Sequence, residues 1–115
     1  MMRKTKEVLE DHLQLSKEGR VEEDLTLNFS KDVKLLTTYG TYEGHKGVQE
    51  LAEILQKELP EATFKYKNFL VEGEVGFLEW SGFSKKNKVK DGADSYLVRD
   101  GLIIAQTIHY TISKV

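Results

Sequence analysis

The stretch GADSYLVRDGLIIAQTIHYTI, residues 92–112, decides the fold. It contains two β-prone runs, Ala93 to Val98 and Leu102 to Ile112, on either side of Asp100-Gly101. A two-residue hairpin turn favours residues that tolerate positive φ at both central positions, and Asp-Gly meets that demand. Alternation places Asp94, Tyr96 and Val98 on one face of the first run. On the second run Gln106, Ile108 and Tyr110 face away from Ala105, Thr107 and His109. Upstream, Thr63 to Glu72 and Val75 to Phe83 are also rich in aromatic and β-branched residues. Residues 63–112 therefore predict an antiparallel meander, with Asn87 and Asp91-Gly92 marking a longer loop before the penultimate strand. Gly73, Gly76 and Gly82 supply places where a long strand can bend.

The first half is mainly helical. Val8, Leu9, Leu13 and Leu15 predict a helix from Thr5 to Lys17, with Gly19 as its left-handed C-cap. A second short helix follows through Val21, Leu25 and Phe29, and Ser30-Lys31-Asp32 then turns the chain. Val33 to Thr37 and Tyr39 to Gly44 read as a small hairpin. Val48, Leu51, Ala52, Leu55 and Leu59 carry the clearest helical period, which Pro60 ends. Helices first and strands last is the order of an α+β domain whose helices lie on one face of an antiparallel sheet.

Composition bounds what such a domain can do. Its 115 residues match one domain, residues 1–115, with 39% hydrophobic and 31% charged side chains. The absence of cysteine excludes a disulfide framework, a thiol nucleophile and a thiolate metal site. The basic start MMRKTK is not followed by an apolar run, and no 18-residue apolar stretch occurs. The expectation is a soluble cytoplasmic protein without a membrane partner. A net charge of −2 gives no general attraction to nucleic acid. Lys85, Lys86, Lys88 and Lys90 concentrate charge, which a solvated hairpin tip explains. The three histidines are too dispersed for a metal motif, and no glycine-rich phosphate loop or nucleophile elbow is present. Neither metal nor cofactor is expected.

Asp32-Val33, Tyr39-Gly40, the Gly44 to Val48 approach to the third helix, and GADSYLVRDGLIIAQ together resemble the nuclear transport factor 2-like superfamily, in its SnoaL-like branch. The likeness spans nearly the whole chain. It implies a cone-shaped, curved antiparallel sheet wrapped around the N-terminal helices, a small-molecule pocket inside the cone, and a homodimer through the outer sheet face. Ketosteroid isomerases and polyketide cyclases are among the members. In the isomerases a helix-one tyrosine and a protonated late-strand acid hold the enolate oxygen, and an aspartate near the first strand pair moves the proton. The resemblance puts Asp94 at the acid position, His12 at the helix-one position and Thr37 where the base belongs. Thr37 cannot act as that base at neutral pH.

Asp94 in an apolar hollow would have a raised pKa and could serve as general acid or hydrogen-bond donor to a carbonyl. The bland alternative is a hydrated strand-end acid paired with Lys88 or Lys90. His12, four residues after Val8, is either a proton-exchanging partner in the site or a boundary histidine with a local partner. Trp80, Tyr96, Gln106 and Tyr110 are the expected pocket lining, or else rings that fill the cone. Thr37 and Tyr39 are placed at the pocket mouth, or are turn residues with no further role. His45 reads as loop surface and His109 as outer face. Val75, Phe77 and Phe83, alternating with Glu79 and Ser81, make the outer face apolar.

Overall fold

The computed structural model describes residues 2–115. Apolar spacing forms α1 over Thr5–Lys17, burying Val8, Leu9, Leu13 and Leu15. Gly19 ends it at φ +70°. Next come α2 (Val21–Asn28), β1 (Phe29–Thr37), β2 (Gly40–Glu43) and α3 (Gly44–Glu58). The chain finishes in β3 (Thr63–Glu72), β4 (Val75–Phe83), β5 (Asn87–Arg99), β6 (Leu102–His109) and the short β7 (Ser113–Lys114).

The strands form one sheet in the order β2-β1-β6-β5-β4-β3, with β7 paired to β5. Successive strands from β3 to β6 pair antiparallel, as expected. The β1–β6 pair is parallel, so the sheet is mixed rather than antiparallel throughout. The reason is topological: α3 and the meander separate these strands in sequence, and such a long connection permits parallel pairing.

Register shifts interrupt four pairs, at Phe29/Lys34, Tyr66/Asn68, Trp80/Gly82 and Leu97/Val98. Each extra residue bends its strand and increases the twist, which curves the sheet around the helices. The core lies on the concave side, where Val8, Leu9, Leu13 and Leu25 meet Val33, Leu35, Leu78, Trp80, Val98 and Ile103. Burying one such aliphatic side chain contributes roughly 1.5–3 kcal/mol.

Several boundaries differ from the sequence reading. Ser30-Lys31-Asp32 lies within β1, at the irregularity between Phe29 and Lys34. A bulge has the same local polarity as a turn. The third helix starts at Gly44 rather than Val48, because its first turn adds no apolar residue to the periodic stripe. His45 is thereby helical and half-buried, its Nε2 lying 3.0 Å from the Phe29 carbonyl oxygen. The penultimate strand begins at Asn87, so the expected loop at Asn87 and Asp91-Gly92 is strand. Gly82 pairs with Val89 and Trp80 with Gly92, which leaves Lys90 and Asp91 both outside, opposite Ser81 alone. The turn proper is Ser84 to Asn87, closed by backbone and side-chain bonds between those two residues. The last long strand stops at His109, three residues early. Asp100 and Gly101 take φ of +53° and +78°, as their hairpin turn requires.

Candidate functional site

Asp94, Tyr96 and Val98 alternate inward along β5. The Asp94 side chain is consequently deep in the concave face, where the residue is 9% exposed. Three donors converge on it. Trp80 Nε1 donates to Oδ1 at 3.1 Å, while Gln106 Nε2 at 3.2 Å and the Tyr96 hydroxyl at 3.3 Å donate to Oδ2. They come from β4, β6 and β5, and the register that pairs Leu78 with Asp94 and Tyr96 with Gln106 brings them together. No ion pair to Lys88 or Lys90 exists among the described residues.

Burial and hydrogen bonding act on Asp94 in opposite senses. Burial dominates and pushes the carboxyl up to about 6, against the pull of Trp80, the His12 charge, Gln106 and Tyr96. A group at that value exchanges its proton near neutrality. Tyr96, fully enclosed, is raised well above the ordinary phenol value, so its hydroxyl remains a donor.

His12 projects from α1 into the same interior. Its Nδ1 lies 2.7 Å from Asp24 Oδ2, and the two side chains are 10% and 7% exposed. The ring meets Phe29 and Tyr96 edge-on at 5.2 and 5.5 Å. Asp24 Oδ1 accepts from Asn28 Nδ2 at 2.9 Å, and Asn28 Nδ2 also donates to Asp11. Arg3 Nη1 donates to Asn28 Oδ1 at 2.9 Å. With Asp24 as acceptor, Nδ1 of His12 carries a proton and Nε2 is left to face another partner. Among the described residues, Nε2 has no hydrogen bond.

The other expected site residues lie elsewhere. Tyr110 and Tyr39 both donate to Glu58, at 2.7 and 2.5 Å, and their rings meet edge-on. Tyr110 touches the Asp94 cluster only through its ring, 5.5 Å from that of Trp80. Burial first and Glu58 second raise the pKa of both phenols. The Thr37 hydroxyl donates to the Gly40 carbonyl and accepts from Tyr39 N–H, so it closes the β1–β2 turn. His109 is exposed on the outer face beside Asp91.

The surface of the described residues includes two concavities. One, about 230 Å³, lies between α1 and β3 and is lined by Glu10, Leu13, Gln14, Lys17, Tyr66 and Phe69. The second, about 340 Å³, lies at the β3–β4 hairpin around Leu70, Val75 and Phe77. Neither is lined by Asp94, His12 or the six residues expected to line a pocket. Gly92 shows how closely the interior is filled. A Cβ there would lie 2.3 Å from the Trp80 indole, so the ring rests directly on the β5 backbone. Among the described residues, every side-chain nitrogen and oxygen wholly shut off from solvent has a partner, so the unpartnered His12 Nε2 keeps some contact with solvent.

No family model matches the chain, and no curated protein does. Solved structures do match. A de novo designed protein with a curved β-sheet shares 21% identity, over 93% of this chain and 84% of that one, at a TM-score of 0.77. A candidate ketosteroid isomerase from Kribbella flavida shares 16% identity over 93% and 77%, at 0.78. A nuclear transport factor 2-like protein of unknown function from Burkholderia xenovorans shares 15% over 93% and 82%, at 0.74. The fold is nuclear transport factor 2-like.

Within the nuclear transport factor 2-like cone, four of the residues singled out from sequence form one hydrogen-bonded cluster: Asp94, Trp80, Tyr96 and Gln106. Asp24 and Asn28 were missed. A signal for them existed: Val21, Asp24, Leu25 and Asn28 follow helical spacing, which puts both polar residues on the buried stripe. Tyr66, whose hydroxyl lies 3.3 Å from the Leu13 carbonyl oxygen, and Glu58 were missed as well.

Proposed function

We propose that residues 1–115 form one SnoaL-like domain that catalyses proton transfer on a small, mostly apolar carbonyl compound, without a cofactor, as an isomerase, cyclase or lyase. The observation that carries this reading is the buried Asp94 carboxyl, held by three donors in a site whose burial pushes it up to about 6. Protonated Asp94 donates to the carbonyl oxygen and stabilises the enolate that forms when a proton leaves the adjacent carbon. Thr37 offers no base for that proton. His12 does, because Asp24 fixes its Nδ1 proton and leaves the Nε2 lone pair as acceptor. The proton held on His12 Nε2 then returns to a different carbon in an isomerisation. In a lyase reaction it goes to the leaving group.

The reading also takes the protein as cytoplasmic and as a homodimer paired through the outer sheet face. No described helix is long and apolar enough to cross a membrane. The supporting feature for pairing is exposed Leu36, Leu70, Val75 and Phe83 on one side of the sheet.

The test is deuterium incorporation into a panel of cyclic ketones and enones in D2O, followed by proton NMR. The wild-type protein is expected to exchange the α-protons of at least one compound above the buffer rate. Asp94→Asn should lower that rate by roughly 10²–10⁴ while retaining binding. Equal rates for the two proteins would end the proposal. A second reading, a non-catalytic ligand-binding or scaffold protein, is favoured by the closely packed interior and by Thr37 at the base position. On that reading no panel member exchanges above background.

A further inference from the structure

The groove between α1 and β3 is separate from the Asp94 cluster yet adjoins it. Leu13 and Phe69 give it apolar walls, Tyr66 is half-buried within it, and exposed Glu10, Gln14 and Lys17 stand at its rim. We propose that this groove binds the ring system of a small neutral carbonyl compound, with the Tyr66 hydroxyl donating to the carbonyl oxygen.

Three observations carry the assignment. The first is the state of the Tyr66 hydroxyl. Its one hydrogen bond among the described residues, to the Leu13 carbonyl oxygen, is 3.3 Å long, whereas hydroxyl-to-oxygen bonds cluster at about 2.7–2.8 Å. Leu13 lies inside α1, where its carbonyl already serves the helix. A ligand carbonyl in the groove would therefore be a better acceptor than the one Tyr66 now uses.

The second is location. Tyr66 pairs with Trp80 across β3 and β4, and Trp80 donates to Asp94. Leu13 follows His12 directly in α1. The groove thus ends one layer of side chains from both groups of the proposed acid–base pair. Burial, together with the charges of Asp94 and Asp24, pushes the phenol up to about 12, which keeps the hydroxyl protonated as a donor.

The third is the rim. Lys17 Nζ stands over the Tyr66 ring, 4.4 Å from its centre, attracted to the ring face. Glu10 on the same helix carries the opposite charge, so the rim favours neither anions nor cations. A neutral, flat, apolar molecule with one carbonyl matches walls of Leu13 and Phe69 and a single donor.

The experiment uses 1-tetralone and its carbonyl-free counterpart tetralin, titrated into the full-length protein. Amide shifts locate binding, and fluorescence of Trp80, the only tryptophan, reports on the adjoining layer. Tetralone should shift the amides of Gln14, Lys17 and Phe69 and bind roughly three- to tenfold more tightly than tetralin, the margin of one neutral hydrogen bond. Tyr66→Phe should erase that margin and leave tetralin affinity unchanged. Gln14→Trp, a change at an exposed position, should fill the groove and weaken both compounds, which keeps the test decisive if the Phe variant folds poorly. A tetralone preference that survives Tyr66→Phe, or shifts centred on Tyr39, Glu58 and Tyr110, would overturn the assignment.

The ligand class rests on the acid–base reading above, but the two fail separately. Asp94-dependent exchange without groove binding would remove this inference alone. Tyr66-dependent binding without exchange would remove only the catalytic reading.

Discussion

At Asp94 burial favours the neutral acid and three donors favour the carboxylate, and burial prevails. The consequence is a stability term with a defined sign. The folded-state value, about 6, lies above the ordinary 3.8, so between those limits the folded protein binds more protons than the unfolded chain. Stability from this group is complete below about pH 4 and is lost as pH rises through 6, by roughly 3 kcal/mol in total. Urea unfolding of Asp94→Asn and wild type from pH 4 to 7.5 should show wild type losing stability relative to the variant over that span. A constant difference would mean that Asp94 titrates as an exposed acid does. The exposed acids Glu18, Glu23, Glu43 and Glu74, all lowered by basic partners or hydrogen bonds, oppose this trend at lower pH. Comparing the two proteins cancels them. His12 gives a second prediction: nitrogen NMR should find its neutral ring protonated at Nδ1, and Asp24→Asn should shift the tautomer toward Nε2. Alternation along a strand put Asp94 on one face with Tyr96 and Val98, and the family resemblance suggested that this face is the inner one. The Asp24–His12 pair was not legible in sequence, because it joins two helices whose packing no single-helix pattern specifies.

The strands were legible where alternation is clean and misread where a bulge breaks it. Thr63–Glu72 and Val75–Phe83 have the predicted bounds. β5 was cut short because Lys90 and Asp91 both face outward, and two adjacent polar residues before a glycine have the composition of a loop. In the structure they form the bulge that lets β5 continue to Asn87 and turns Gly92 inward beneath Trp80. The same logic explains Ser30 to Asp32. Register shifts are set by pairing partners, which local composition does not contain. Gly92 offers the test at this scale. Gly92→Ala places a Cβ 2.3–2.7 Å from three indole atoms, so Trp80 must move and its bond to Asp94 must lengthen. Overpacking of this kind costs roughly 1–3 kcal/mol. The variant should unfold at lower urea with a shifted Trp80 emission maximum; wild-type stability and emission would show that the ring does not lie on β5.

Across the whole molecule the helices cover only one face of the sheet, and the other face has a pattern of its own. Leu70, Phe77, Ser95, Thr107 and Leu36 are successive partners across β3, β4, β5, β6 and β1, and so form one row on the outer side. Val75, Leu97 and Ala105 form the neighbouring row. Leu70 is 58% exposed, and Leu36 and Val75 are each 54% exposed, while the small residues Ser95, Ala105 and Thr107 occupy the middle. An apolar border around a shallow centre is self-complementary about a twofold axis, because each border residue can meet its symmetry mate's centre. Apolar rows this broad are uncommon on a sheet that faces water alone. Light scattering at micromolar concentration should therefore give twice the 13.2 kDa chain mass. Phe77→Lys and Leu70→Lys should each shift the protein to monomer without lowering the stability of the monomer fold, since both side chains point away from the helices. The Asp94 site should survive in those monomers, because its donors all come from one chain. A wild-type mass of one chain at those concentrations would show that the outer face has no partner in a second copy. Loss of the Trp80–Asp94 bond on dissociation would show instead that pairing holds the curvature of the sheet.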